Sequence, residues 1–193
     1  MQYIQKNFQY TYEVKQSKFI AYFVPINLFE STLLELRSQH PKARHFVTAQ
    51  RYLNAYEQIV EHSSDDGEPK GTSGKPSLIV LQGHNIINAA VIVVRYFGGT
   101  KLGTGGLVRA YSEAVNGVIT ESELLTYKKE IVRNVVVDYT DVRFIEYICE
   151  KYEISVVEKF FEEKVLYKLQ GDEENMTLFI SEVERVIRTL KEE

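Results

Sequence analysis

The chain has 193 residues, 44% hydrophobic and 26% charged, with a net charge of −4 at pH 7, an ordinary globular balance sized for one large or two small domains. One cysteine and four histidines exclude a disulfide framework within the chain and leave no set for a cysteine-based zinc site. No apolar run reaches the roughly 18–20 residues of a membrane span and the start, MQYIQKNFQYTYEV, has no signal-peptide core, so a cytoplasmic chain with no membrane partner is expected.

Thr11–Ile26 is rich in aromatic and β-branched residues and predicts two strands with a break near Gln16–Ser17. In NLFESTLLELRSQHP, Asn27 and Glu30 make a capping-box pattern, Leu28, Leu33 and Leu36 fall on one side, and Pro41 lies past the end, so a helix is expected. ARHFVTAQRYL and YEQIVEH read as two more strands, and Ser63–Pro76 as loop throughout. SLIVLQG predicts a short helix, with Pro76 at its first position and Gly83 as its C-terminal cap. Asn88–Phe97 is a nearly continuous β-branched run, a buried strand. Leu107, Ala110, Tyr111, Ala114, Val115, Val118 and Ile119 then recur at three- and four-residue steps, the apolar face of a helix.

That regularity is lost in Glu121–Glu130, which sets an expected boundary between domains at 1–125 and 126–193. Beyond it, IVRNVVVDY reads as a strand. DVRFIEYICEKY reads as a helix capped by Asp141 that buries Phe144, Ile145, Ile148 and Cys149. ISVVEKFFEEKVLYKLQG reads as a hairpin and MTLFISEVERVIRTL as a final helix. The order strand–helix–strand–strand–helix suggests a ferredoxin-like α+β unit. Charge separates the halves: residues 1–126 carry 12 basic and 11 acidic side chains, the remainder 11 and 16. Any nucleic-acid role must therefore come from a local patch. From Pro69 to Ser112 there are five basic residues, Lys70, Lys75, Arg95, Lys101 and Arg109, and no acid.

RYFGGTKLGTGGLVRAY, Arg95–Tyr111, holds five of the eleven glycines. Buried strand, glycine loop and helix start is the layout of an anion site: free N–H groups point outward and the helix dipole favours negative charge. Thr104 stands where a Walker A loop needs lysine, and Val108 where a Rossmann loop needs its last glycine. The other reading is a tight strand-to-helix turn whose glycines allow close packing. In DDGEPKGTSGKP, Asp65, Asp66 and Glu68 could hold Mg²⁺, act as acid and base, or simply pair with nearby cations in a solvated turn. His62 lies beside them at no recognised metal spacing. His40 and His84 read as loop residues, His45 as structural or surface, and Cys149 as a small core residue.

SSDDGEPKGTSGKP followed by VVRYFGGTKLGTGGLVRAYSEAV resembles the signature of the IMPACT family and its bacterial YigZ-type members, and QSKFIAY and HPKARH also fit. The resemblance covers the N-terminal half. It implies the fold of the second domain of ribosomal small-subunit protein five and of elongation factor G domain IV, followed by a ferredoxin-like domain: an α+β, two-domain chain. It also implies a translation-linked role with RNA, the ribosome or a translation-associated protein as partner. RHFVTAQR lacks the cysteine that family members often carry there, and Lys70 replaces a small residue.

Together these readings give a phosphate- or nucleic-acid-binding set of Arg95, Gly98, Gly99, Lys101, Gly103, Gly105, Gly106, Arg109, Lys70 and Lys75, organised by Asp65, Asp66 and Glu68. No catalytic residue, metal or cofactor is assigned, and the oligomeric state is left open. An enzyme or metal-dependent phosphate-substrate site using the Asp-Asp-Gly-Glu loop, and a protein adaptor without nucleic acid, are the alternatives.

Overall fold

The aromatic and β-branched start of the chain forms the expected hairpin. After the short strand β1 (Gln2–Tyr3), β2 (Phe8–Val14) pairs antiparallel with β3 (Ser17–Pro25). Lys15 and Gln16 make the two-residue turn with φ of 46° and 62°, the positive angles of the primed turn that matches strand twist. The computed structural model describes residues 1–192. The chain divides into a compact unit Met1–Tyr127 and a second beginning at Lys128.

In the first unit, α1 (Phe29–Gln39), β4 (His45–Leu53), β5 (Ile59–Ser64), α2 (Gly74–Gly83), β6 (Ala89–Tyr96) and α3 (Gly103–Thr120) follow. The five-stranded sheet runs β2-β3-β6-β4-β5, antiparallel throughout. Its central strand β6 is buried on both faces, which is why it reads as an unbroken apolar run. Phe19, Phe23, Val91 and Val93 pack against α2 and α3 on one face. Ile20, Val24, Ile92 and Val94 pack with Phe29 and Leu36 of α1 on the other. All seven apolar positions read from the spacing of α3 are buried. The strand β7 (Leu125–Thr126) pairs with β1 and ties the end of this unit to its start.

Two local expectations fail here. No capping box forms: residues Ile26–Leu28 make a 3₁₀ turn that runs into α1, the cap position falls on Leu28 without a side-chain bond, and Leu28 is exposed. The loop Ser63–Pro76 is also shorter than expected, because Ser63 and Ser64 extend β5 and α2 already begins at Gly74. Pro76 is therefore the third helical residue. Gly83 is the last, with His84 in the capping position.

The second unit contains β8 (Glu130–Val137), α4 (Val142–Lys151), β9 (Ser155–Phe161), β10 (Val165–Asp172), α5 (Glu173–Val183) and β11 (Ile187–Glu192). Its sheet order is β11-β8-β10-β9, all antiparallel, the complete ferredoxin-like pattern. The expected final helix is thus too long. It ends at Val183, and the segment after it becomes a strand because β8 has a free edge whose N–H and C=O groups need partners. Asp141 occupies the cap position of α4 but makes no side-chain cap bond, and Phe144 is 41% exposed rather than buried. Asp172 does cap α5, accepting from the Asn175 N–H at 3.0 Å. Ile145, Ile148 and Cys149 are buried as read, and burial, with Glu146 nearby, pushes the Cys149 thiol up to about 11.

Candidate functional site

At the end of the central strand, Arg95 on β6 faces its register partner His45 on β4 and, on the other side, Phe19 on β3. All three side chains leave the same face of the sheet. Arg95 is only 8% exposed, and a buried guanidinium is costly without a counter-ion. Glu68, also 8% exposed, supplies it. Arg95 Nη1 donates to Glu68 Oε1 at 2.5 Å, and the Tyr111 hydroxyl of α3 donates to the same oxygen at 2.8 Å. The Phe19 ring lies 5.4 Å from the guanidinium carbon and edge-on to Tyr111 at 5.0 Å. Burial, with the Glu68 charge beside it, pushes the Tyr111 phenol far above its ordinary range, so it remains a donor. Arg95 Nε is buried and has no hydrogen-bond partner among the described residues.

The other two acids of the Asp-Asp-Gly-Glu loop serve the backbone. Asp65 caps the approach to α2: it accepts from Gly71 N at 2.7 Å, Ser73 N at 3.1 Å, Ser73 Oγ at 2.6 Å and Gly74 N at 2.8 Å. Burial raises its carboxyl, but the four bonds together outweigh that and hold it below its ordinary value. A depressed folded-state pKa contributes stability that is present above the unfolded value, about pH 4, and is lost as pH falls through the folded value. Asp65→Ala is expected to cost about 1–2 kcal/mol at neutral pH, as a lost cap does. The difference from wild type should shrink on acidification in urea titrations; a constant difference down to the acid limit would show that the cap is not the source. Asp66 accepts from Phe46 N at 2.6 Å and from Arg37 at 3.2 Å, joining this loop to β4 and α1.

The two glycine-containing motifs do meet. Glu68, Pro69, Arg95, Phe97, Lys101 and the start of α3 line one cavity of about 850 Å³, together with Lys42, Arg44 and His45. Leu102 precedes α3 without any side-chain cap, so the first N–H groups of that helix are left for water or a ligand. Lys42, Arg44 and Lys101 are exposed and make no ion pair among the described residues. The second unit differs: Lys128, Lys151, Lys159, Lys164 and Arg188 each pair with a carboxylate.

Several members of the expected set lie outside the lining. Arg109, Lys70 and Lys75 are exposed elsewhere, Gly98, Gly99, Gly105 and Gly106 are not among the lining residues, so that Gly103 alone of the five glycines lines the cavity, and of the three acids only Glu68 does. The glycines separate by role. A Cβ on Gly98 would sit 2.0 Å from the Gln16 carbonyl carbon, so this glycine is a packing device. Gly99 and Gly103 have φ of 89° and 72°, which a side chain disfavours. A Cβ on Gly106 would come within 2.9 Å of its neighbour Leu102. Gly105 has open space and no positive φ; nothing within the fold requires it to lack a side chain. The histidines are committed individually. His40 bridges the Tyr22 and Tyr96 hydroxyls, His84 meets Asn116, and His62 stacks on Tyr52.

Residues 15–119 match the Impact N-terminal domain. An IMPACT family member of Haemophilus influenzae is 35% identical over 177 residues, 89% of this chain and 84% of that protein. The chain belongs to the IMPACT family. The IMPACT family member YigZ of Escherichia coli is 39% identical over 120 residues, 61% of this chain and 58% of its own. A solved chain described only as a hypothetical protein superposes with a TM-score of 0.64 at 26% identity, over 95% of this chain and 91% of that one. The two-domain α+β architecture is therefore shared along nearly the whole length.

In this IMPACT-family chain the cavity also contains residues outside the expected binding set, from a segment that the sequence marks only as fitting the family. Lys42, Arg44 and His45 come from HPKARH, ahead of and at the start of β4, and reach the glycine loop only through the β4–β6 register. A basic pair directly before a strand was the available signal. Phe97, 58% exposed beside Arg95, was read only as the end of a buried run.

Proposed function

We propose that this IMPACT-family chain is a cytoplasmic, translation-linked protein that grips an RNA backbone, in single strands or at a ribosomal surface, in the cavity between the Asp-Asp-Gly-Glu loop and the glycine loop. The observation that carries the reading is charge: three exposed cations, Lys42, Arg44 and Lys101, line a cavity whose one carboxylate, Glu68, is paired with the fourth, Arg95, in a chain of net charge −4. The uncapped start of α3, with Gly103 in the lining and Gly105 open just beyond it, adds backbone donors to which a phosphate can come close. Phe97, exposed at the rim, offers a ring on which a base can stack without being read by sequence. The acids favour binding over hydrolysis in this reading, because Asp65 and Asp66 are spent on backbone N–H groups and Arg37.

Fluorescence anisotropy with a single-stranded RNA tests it. Affinity should fall with salt at a log–log slope of about −0.7 for each phosphate contacted. Lys101→Ala should flatten that slope by roughly 0.7–1 and weaken binding uniformly across sequences. Gly105→Val should weaken binding with charge unchanged. If Lys101→Ala binds with the wild-type slope while remaining folded, the cavity is not a phosphate site, and a protein partner for the same face becomes the better reading.

A further inference from the structure

The cavity's polar lining is mostly donors. Lys42, Arg44, Arg95 and Lys101 only donate, and the Glu68 carboxylate takes both Arg95 and Tyr111 on one oxygen, Oε1. The Tyr96 hydroxyl is bonded to His40 at 2.9 Å. His45 is different. Its Nδ1 lies 2.8 Å from the backbone oxygen of Asp66. A carbonyl oxygen only accepts, so Nδ1 carries the hydrogen, and in the neutral ring Nε2 is an acceptor. Nε2 has no partner among the described residues.

The ring is fixed by its surroundings. Asp66 is itself held by Phe46 N and Arg37, which positions its carbonyl. Gly67, at a φ of 86°, lies against the imidazole, where a Cβ would come within 3.5 Å of Nδ1. The register pairing with Arg95 places the ring beside the cation whose Nε is unpartnered.

We infer that His45 is the residue by which this site distinguishes RNA from DNA, its Nε2 accepting a hydrogen bond from a ribose 2′-hydroxyl while the neighbouring cations hold the phosphate. The inference rests on the phosphate-backbone reading above. A phosphate has no hydrogen to give an oriented acceptor; base edges carry N–H donors that vary with sequence, whereas the 2′-hydroxyl is the one donor that RNA has and DNA lacks at every position along the backbone. Thr104, whose hydroxyl rotates, and Glu68, whose Oε2 takes neither of the two bonds above, also line the cavity and are the internal competitors for this role.

The test uses the full chain and three oligonucleotides of one base and length: ribouridine, deoxyuridine and 2′-fluorouridine. The fluoro sugar keeps an RNA-like pucker but cannot donate, so it separates the hydroxyl from strand shape. Wild type should bind the ribo-oligonucleotide about three- to tenfold more tightly than either other, the range of one net hydrogen bond. His45→Ala should bring the three affinities together, and His45→Gln, which keeps an acceptor, should restore part of the gap. Thr104→Val should leave the gap unchanged. Equal wild-type affinities overturn the inference and leave the phosphate reading intact, and this comparison holds even if a His45 variant fails to fold. A gap that survives His45→Ala, or closes in Thr104→Val, also overturns it. Absence of binding to all three overturns both readings.

Discussion

Glu68→Ala is expected to cost about 3–5 kcal/mol of folding stability, the cost of leaving a buried charge without its partner. The carboxylate is held by Arg95 and Tyr111, so its removal orphans a guanidinium that is 8% exposed and a phenol fully buried on α3. Arg95 Nε already lacks a partner, which leaves no alternative bond within the cluster to absorb the loss. Replacing both charges together, as Glu68→Leu with Arg95→Met, should be less damaging than the sum of the two single changes, because it removes the desolvation cost on both sides. Urea unfolding of the four proteins of the cycle measures this. Simple additivity would mean that the pair is not coupled and that the cluster is not what fixes this end of the sheet.

Gly98→Ala is expected to be the second most damaging change, at roughly 1–3 kcal/mol or more. The added Cβ would lie 2.0 Å from the Gln16 carbonyl carbon and 2.2 Å from Ser17 N, against backbone that cannot rotate away. The Gly98 N–H also donates to Ser17 Oγ at 3.1 Å, so displacement would break the bond that ties the glycine loop to the β2–β3 turn. Gly105→Ala, whose Cβ would meet nothing within 4 Å, should instead stabilise the first turn of α3 by about 0.5–1 kcal/mol. Thermal melts of the two variants separate packing glycine from accessible glycine. Equal melting temperatures would refute the division.

Where the physics is local, the sequence is readable. The seven buried positions of α3 follow from helical spacing, and β6 from a β-branched run buried on both faces. The break expected near Gln16–Ser17 falls one residue earlier, at Lys15–Gln16, with Ser17 already in β3. What was missed depends on contacts distant in sequence. Val183, Val186, Ile187 and Leu190 keep helical spacing, and no glycine or proline interrupts them. The strand there exists because β8, some fifty residues earlier, offers an edge. Tyr111 was legible as apolar helix face but not as a donor to Glu68, 43 positions away. His45 and its basic neighbours were invisible as site residues because only the His45–Arg95 register brings them to the glycine loop. The acids were legible as a cluster, yet their separate tasks, a helix cap, a strand tether and a buried counter-ion, appear only in three dimensions.

The tasks of holding and meeting fall on different residues here. Asp65, Asp66, Glu68, Arg95 and Gly98 face inward to one another and to the backbone, whereas Lys42, Arg44, Phe97, Lys101 and Gly105 face outward and carry none of those bonds. Errors in the first group are expected to lower stability; errors in the second should leave it nearly unchanged and alter what the surface meets. A lineage built this way can drift from one partner to another by single steps, each step starting from a stable chain.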